Sequence, residues 1–184
     1  MGVRRFAAAL LVLVASASLA EVDVKAAMPA LLKVLTYDVN FDARGAGPFV
    51  VLVVSEPTQS AARSALIGTL KDVPVTQVKT RPVKYVAADF RDEGQLQGEI
   101  DKHKASALLV VPGTPGAVVK AMWEVAQDNQ LYALALDAET VESSFPVGVT
   151  MNGDKPQIII NEKSARAVGV RFETVVLRMA RVIQ

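Results

Sequence analysis

The stretch 155-KPQIIINEKSARAVGVRFETVVLRMARVI-183 decides how the chain is read. It opens on residues 157–160, rich in the β-branched residues that favour a strand. Asn161 carries the short acceptor that caps a helix starting at Glu162. Gly169 can close that helix in the left-handed conformation that a Cβ makes costly. Beyond the glycine, Phe172, Val175, Met179 and Val182 recur at helical spacing, flanked by Val176, Leu177 and Ile183. This spacing predicts a final amphipathic helix with those residues turned inward. Such a helix needs a sheet to cover.

Upstream, residues 147–151 and 157–160 flank Asn152-Gly153-Asp154-Lys155, a strong turn signal, and an antiparallel hairpin is expected. Further back, the runs at 49–54, 107–111 and 131–136 are apolar without alternation, as in parallel strands covered on both faces. Helices are expected between them. One over 24–37 presents Val24, Met28, Leu31 or Leu32, and Leu35, and one ending near Leu70 turns Ala62, Leu66 and Leu70 inward. A third, from Asp92 to about Lys104, carries Leu96, Ile100 and His103. A fourth, to Asp128, has Thr114 as its N-cap, Pro115 in its first turn, and Val118, Met122 and Val125 inside. Residues 73–78 and 83–86 each read as strand, with Pro82 marking a break or an edge. The expected fold is α/β: a single three-layer domain with a mainly parallel sheet, packing helices and a C-terminal antiparallel hairpin.

The run PQIIIN-EKSARAVGVRF-ETVVLRMARVI resembles the closing segment of the YfiR-like family of secreted bacterial proteins, the domain-of-unknown-function 4154 family. The resemblance extends more weakly back to about Val24. It implies a periplasmic, non-enzymatic signalling regulator that binds the periplasmic part of a membrane-bound signalling protein. In the best-described members that partner is a diguanylate cyclase, which the regulator restrains, so cyclic-di-GMP regulation is implied. Those members carry disulfides. This chain has no cysteine, so no redox-linked behaviour is implied.

Residues 1–20 place Arg4 and Arg5 before an apolar run at 6–15, with Ser18 and Ala20 small. This is the pattern of a secretory signal peptide cleaved after Ala20, leaving 21–184 as one YfiR-like α/β domain in the periplasm. The apolar run is short for a membrane span of about 20 residues, and no cysteine near the cut provides a lipid anchor. After cleavage no remaining segment is expected to span a bilayer. Removing Arg4 and Arg5 turns 20 basic against 19 acidic side chains into 18 against 19, a formal charge of −1. The charge of +1 on the uncleaved chain therefore argues for no nucleic-acid partner.

Nothing in the residue inventory prepares catalysis, and neither cofactor nor metal is expected. Without cysteine there is no thiolate nucleophile or thiolate metal site. The single histidine, His103, lies four residues after Glu99 at the rim of an apolar face, and no G-x-S-x-G elbow accompanies it. Asp89, Asp92 and Glu93 precede a helix, where acids suit the positive end of its dipole. Asp137, Glu139 and Glu142 follow a strand, in a position that open α/β sheets also use for ligands.

Two loops after buried strands are candidates for a small ligand: Ser55 to Thr58, and Gly113, Thr114 and Gly116. The second lacks the spacing of a dinucleotide loop and the lysine of a P-loop, and a plain turn also accounts for it. Lys163, Arg166, Arg171, Arg178 and Arg181 are candidates for a basic surface facing a partner. The functional alternative to the regulator is a periplasmic small-ligand-binding or sensor domain. Homodimer formation is left open.

Overall fold

The computed structural model describes residues 23–184. The expected signal peptide, 1–20, lies outside them. In chain order the elements are α1 (Val24–Leu35), β1 (Phe49–Ser55), α2 (Ser60–Lys71), β2 (Gln77–Val78), β3 (Arg81–Asp89), α3 (Glu93–His103), β4 (Ala107–Val110) and α4 (Gly116–Asp128). There follow β5 (Tyr132–Ala135), α5 (Ala138–Ser143), β6 (Val147–Asn152), β7 (Lys155–Asn161), α6 (Glu162–Ala167), α7 (Thr174–Met179) and β8 (Arg181–Ile183). Short 3-10 turns form at Phe41–Arg44 and Pro57–Gln59.

One sheet runs in the order β2-β3-β1-β4-β5-β6-β7-β8. β3, β1, β4, β5 and β6 are parallel, β6 and β7 form the expected antiparallel hairpin, and β8 lies parallel to β7. β1 shows why its apolar run does not alternate. Phe49, Val51 and Val53 enter the layer shared with α1 and α2, against Leu31, Leu35, Leu66 and Leu70. Val50, Leu52 and Val54 enter the opposite layer, against Leu96 and Ile100 of α3 and Met122 of α4. Each such side chain contributes about 1.5–3 kcal/mol by leaving water. Helix starts are held by short acceptors: Asp92 takes the Gln95 amide at 2.8 Å, Asp137 the Thr140 amide at 2.7 Å and Asn161 the Ser164 amide at 3.1 Å. In the hairpin, Gly153 adopts φ +60° at the first of two loop residues, where a II′ turn requires glycine.

Several local expectations are corrected. The final helix does not run from Phe172 to Ile183. α7 has six residues, Ala180 is extended, and 181–183 become an edge strand on β7. The open hydrogen-bonding edge of β7 captures this β-branched tail. The orientation of α7 also changes: Val176 is buried, whereas Val175 and Met179 are exposed. On α2 the inward position falls to Arg63 instead of Ala62, because Ser55, Ala88 and Asp89 wait for its guanidinium at the strand ends. Thr114 does not cap α4. Pro115 occupies the cap, Thr114 Oγ1 bonds back to Val111 O at 2.7 Å, and Val119 replaces Val118 on the buried face. The strand expected over 73–78 reduces to β2, and β3 starts at Arg81 with Pro82 paired only to this short edge strand.

Tyr85 on β3 carries a consequence for pH. Its hydroxyl is buried without a hydrogen-bond partner among the described residues, and burial pushes its phenol up to about 12. An unfolded tyrosine ionises near about 10, so raising the pH from about 10 to about 12 favours the unfolded chain and stability falls across that window. Tyr85→Phe removes an unpaired polar atom. It is expected to be neutral or stabilising at pH 8 and to flatten the decline between pH 10 and 12, as read by urea unfolding at each pH.

Candidate functional site

The chain leaves β1 toward β3 on one side and returns to β4 on the other. Between the C-terminal ends of β1 and β4 lies the switch point at which open α/β sheets form their binding crevices. There Gln59, the residue after the first candidate loop, meets the second candidate loop. Thr114 Oγ1 lies 3.1 Å from Gln59 Oε1, and a Cβ on Gly113 would lie 3.9 Å from Gln59 Nε2. Gly113 adopts φ +80°, which lets the chain turn from β4 into α4 at no Cβ cost.

Beside this junction a cleft of about 310 Å³ opens between the start of α4 and α5. Thr114, Gly116, Val119 and Lys120 form one wall, and Glu139, Thr140, Ser143 and Ser144 the other. Pro115 has no side chain to cap α4. The amides of Gly116 and Ala117 therefore find no acceptor among the described residues, while those of Val118 and Val119 bond to Pro115 O. Unpaired amides at a helix start, with Lys120 one turn along, attract an anionic or strongly polar group. Glu139, on the facing wall, suits a cationic one.

The candidate residues divide. Thr114 and Gly116 line the cleft and Gly113 shapes its approach. Thr58 is exposed in the 3-10 turn. Ser55 is fully buried, and its hydroxyl accepts from Arg63 Nη1 at 3.1 Å, which leaves it outside the cleft. Arg63 also donates to Ala88 O at 2.8 Å and pairs with Asp89 at 2.7 Å, pinning the ends of β1 and β3. Thr140, Ser143 and Ser144 are not among the sequence candidates, which after β5 were only the acids Asp137, Glu139 and Glu142. Asp137 followed by AETVES was the available helix-start signal.

The remaining candidates are engaged elsewhere. His103 Nε2 lies 3.2 Å from Glu99 on α3. Asp92 and Asp137 cap helices, and Glu142 pairs with Arg181 at 2.6 Å. Among the described residues, no group of three His, Cys, Asp or Glu side chains is placed to hold a metal. Lys163, Arg166, Arg171, Arg178 and Arg181 are all exposed, but they are spread over α6, the segment after it, α7 and β8. Arg166 is paired with Glu162.

A groove of about 470 Å³ lies between α1, the hairpin tip and α7, lined by Val34, Tyr37, Pro156, Ile158, Val176 and the exposed Val175 and Met179. No helix among the described residues is long and apolar enough to cross a membrane.

No family model and no curated protein matches the sequence. Solved structures do share the fold. A Streptococcus pneumoniae ABC domain in complex with L-Trp superposes with a TM-score of 0.57 at 11% identity, over 84% of this chain and 59% of that one. A conserved domain protein from Vibrio cholerae gives 0.56 at 15% identity, over 73% and 54%. The ligand-free, open form of a substrate-binding protein with adhesive properties from Clostridium difficile gives 0.55 at 15% identity, over 74% and 54%. The chain is an α/β domain that shares its fold with part of each of these structures. It spans little more than half the length of each.

Proposed function

We infer that this chain is a periplasmic binding or sensor domain for a small polar ligand, and that it acts by binding without catalysing a reaction. The observation that carries this reading is the meeting of the β1 and β4 loops at the switch point, beside a hydroxyl-lined cleft with unpaired amides. The likeness in fold to an ABC domain in complex with L-Trp and to a substrate-binding protein supports it. So does the export signal expected at 1–20. A zwitterion suits the cleft, with its carboxylate toward Gly116 and Lys120 and its ammonium toward Glu139.

A thermal-shift screen of amino acids, small carboxylates and nucleosides tests this. At a concentration one hundred times Kd, a ligand adds about 2.7 kcal/mol, or about 5–10 °C for a domain of this size. The shift should shrink in Gly116→Val, which fills the mouth of the cleft. A wild-type protein stabilised by none of these compounds would sink the reading.

A second reading rests on a different observation. Val175 and Met179 are 51% and 81% exposed beside the apolar groove, an unusual position for large apolar side chains unless another surface covers them. This favours the regulator, whose partner is the periplasmic part of a membrane-bound signalling protein, with a diguanylate cyclase as the particular proposal. A photocrosslinker at position 179, used in the native host, should capture one membrane protein, and Val175→Asp should abolish the capture. Crosslinking only to itself would identify a homodimer instead.

A further inference from the structure

The opposite edge of the sheet, where β1, β3, β4 and β5 begin, holds a second and larger cavity of about 600 Å³. Its polar lining includes Asn40, Arg44, Arg81, Ser106, Asn129 and Gln130, and among the described residues no carboxylate lines it. The two arginines are not equivalent. Arg44 lies over the Tyr132 ring at 4.3 Å, donates to Val168 O at 2.8 Å and to Gln130 O, and has Asp38 3.9 Å from its Nε. Its charge therefore has a counter-ion.

Arg81 has none. It is 9% exposed, and no carboxylate lies within ion-pair distance of it among the described residues. Its Nε donates to Gly47 O at 2.9 Å. Its Nη2 donates to Pro48 O at 3.1 Å and to Ser106 Oγ at 2.8 Å. Its Nη1 is buried with no partner among the described residues.

A guanidinium has five donors in a fixed fork, and one held only by neutral oxygens keeps an uncompensated charge in low dielectric. Burial accordingly pulls Arg81 below its ordinary value. Stacking over Phe49 at 5.3 Å and Phe41 at 5.6 Å eases this without supplying a negative charge. Arg81 and Ser106, joined through Nη2, both line the cavity.

We propose that this cavity binds a small-molecule oxyanion, a carboxylate or a phosphate, as the counter-ion that the Arg81 guanidinium lacks. The site is separate from the cleft at the C-terminal edge and does not depend on it. Three of its five N–H groups hold the guanidinium at the cavity wall through Gly47, Pro48 and Ser106, a fixed placement that a lysine ammonium does not reproduce. Arg44 adds positive potential from the side, while the Ser106 hydroxyl and the Gln130 side-chain amide supply neutral partners for the rest of the ligand.

Isothermal titration with inorganic phosphate and with citrate, each against sodium chloride of matched ionic strength, tests the proposal. The variants are Arg81→Lys, which keeps the charge and loses the fork, and Ser106→Ala, which removes one partner and fills no space. Binding of either probe by the wild type, weakened about tenfold or more in Arg81→Lys, is the expected result. Which probe binds identifies the oxyanion. If Arg81→Lys does not fold, weakening in Ser106→Ala decides. Absence of binding by the wild type, or equal affinity in wild type and every folded variant, overturns the proposal.

Discussion

Asp38→Ala is expected to lower the unfolding free energy by about 3–5 kcal/mol, the range for removing one partner of a buried charged network. Asp38 is 1% exposed and joins three segments distant in sequence. Its carboxylate accepts the Tyr132 hydroxyl at 2.7 Å and the backbone amides of Asn40 at 3.0 Å and Arg171 at 2.9 Å, and it faces Arg44. A bridge between Asp38 and Phe172 continues the same junction. Truncation leaves a phenol, two amides and a guanidinium without their acceptor. Burial and the bond to Asp38 push the Tyr132 phenol well above its ordinary range, so it stays protonated and donates to that carboxylate. Asp38→Asn keeps one acceptor oxygen and should cost less. Urea unfolding reads both variants, and a loss below about 1 kcal/mol in Asp38→Ala would show that water replaces the carboxylate at little cost.

Gly148→Ala is the second large effect. Gly148 sits in β6 beneath α5, and a Cβ there would meet Val141 Cγ2 at 2.4 Å, the Ala135 carbonyl at 2.9 Å and Ala135 Cβ at 3.3 Å. The side chain of Val141 can move, but the backbone of β5 cannot do so without breaking its ladder. Overpacking of this kind costs about 1–3 kcal/mol and occasionally more. Adding Val141→Ala should recover part of the loss, because the two changes share one space and their effects are not additive. Thermal unfolding of both singles and the double variant measures this coupling. A double variant equal to the sum of its singles would place the clash on the Ala135 carbonyl alone.

The two ends of the sheet divide the chemistry. At the C-terminal ends of the parallel strands, loops and helix starts offer exposed hydroxyls and unpaired amides suited to a ligand that comes and goes. At the N-terminal ends, Phe41, Phe49 and Tyr132 pack ring against ring around two arginines. This aromatic box brings Arg81 close to desolvation while denying it a carboxylate.

Much of this was legible along the chain, and the reason is local. The unbroken apolar runs, the hairpin turn at 152–155 and the Asn161 cap each state their conformation within a few residues, because β-branching, glycine dihedrals and short acceptors act at that range. The sequence alone therefore determined the α/β class, the parallel core, the hairpin and the two loops that follow β1 and β4. Tertiary structure decided what depends on a distant partner. The tail 181–183 has helical spacing yet lies as a strand, because β7 presents unpaired amides and carbonyls beside it. Helix α2 turns Arg63 inward because acceptors at the ends of β1 and β3 reward it more than apolar spacing rewards Ala62. Asp38 and Arg81 look like ordinary loop and strand-edge charges in the sequence. Only folding buries them, and burial is what makes one a structural anchor and the other a cation without an anion.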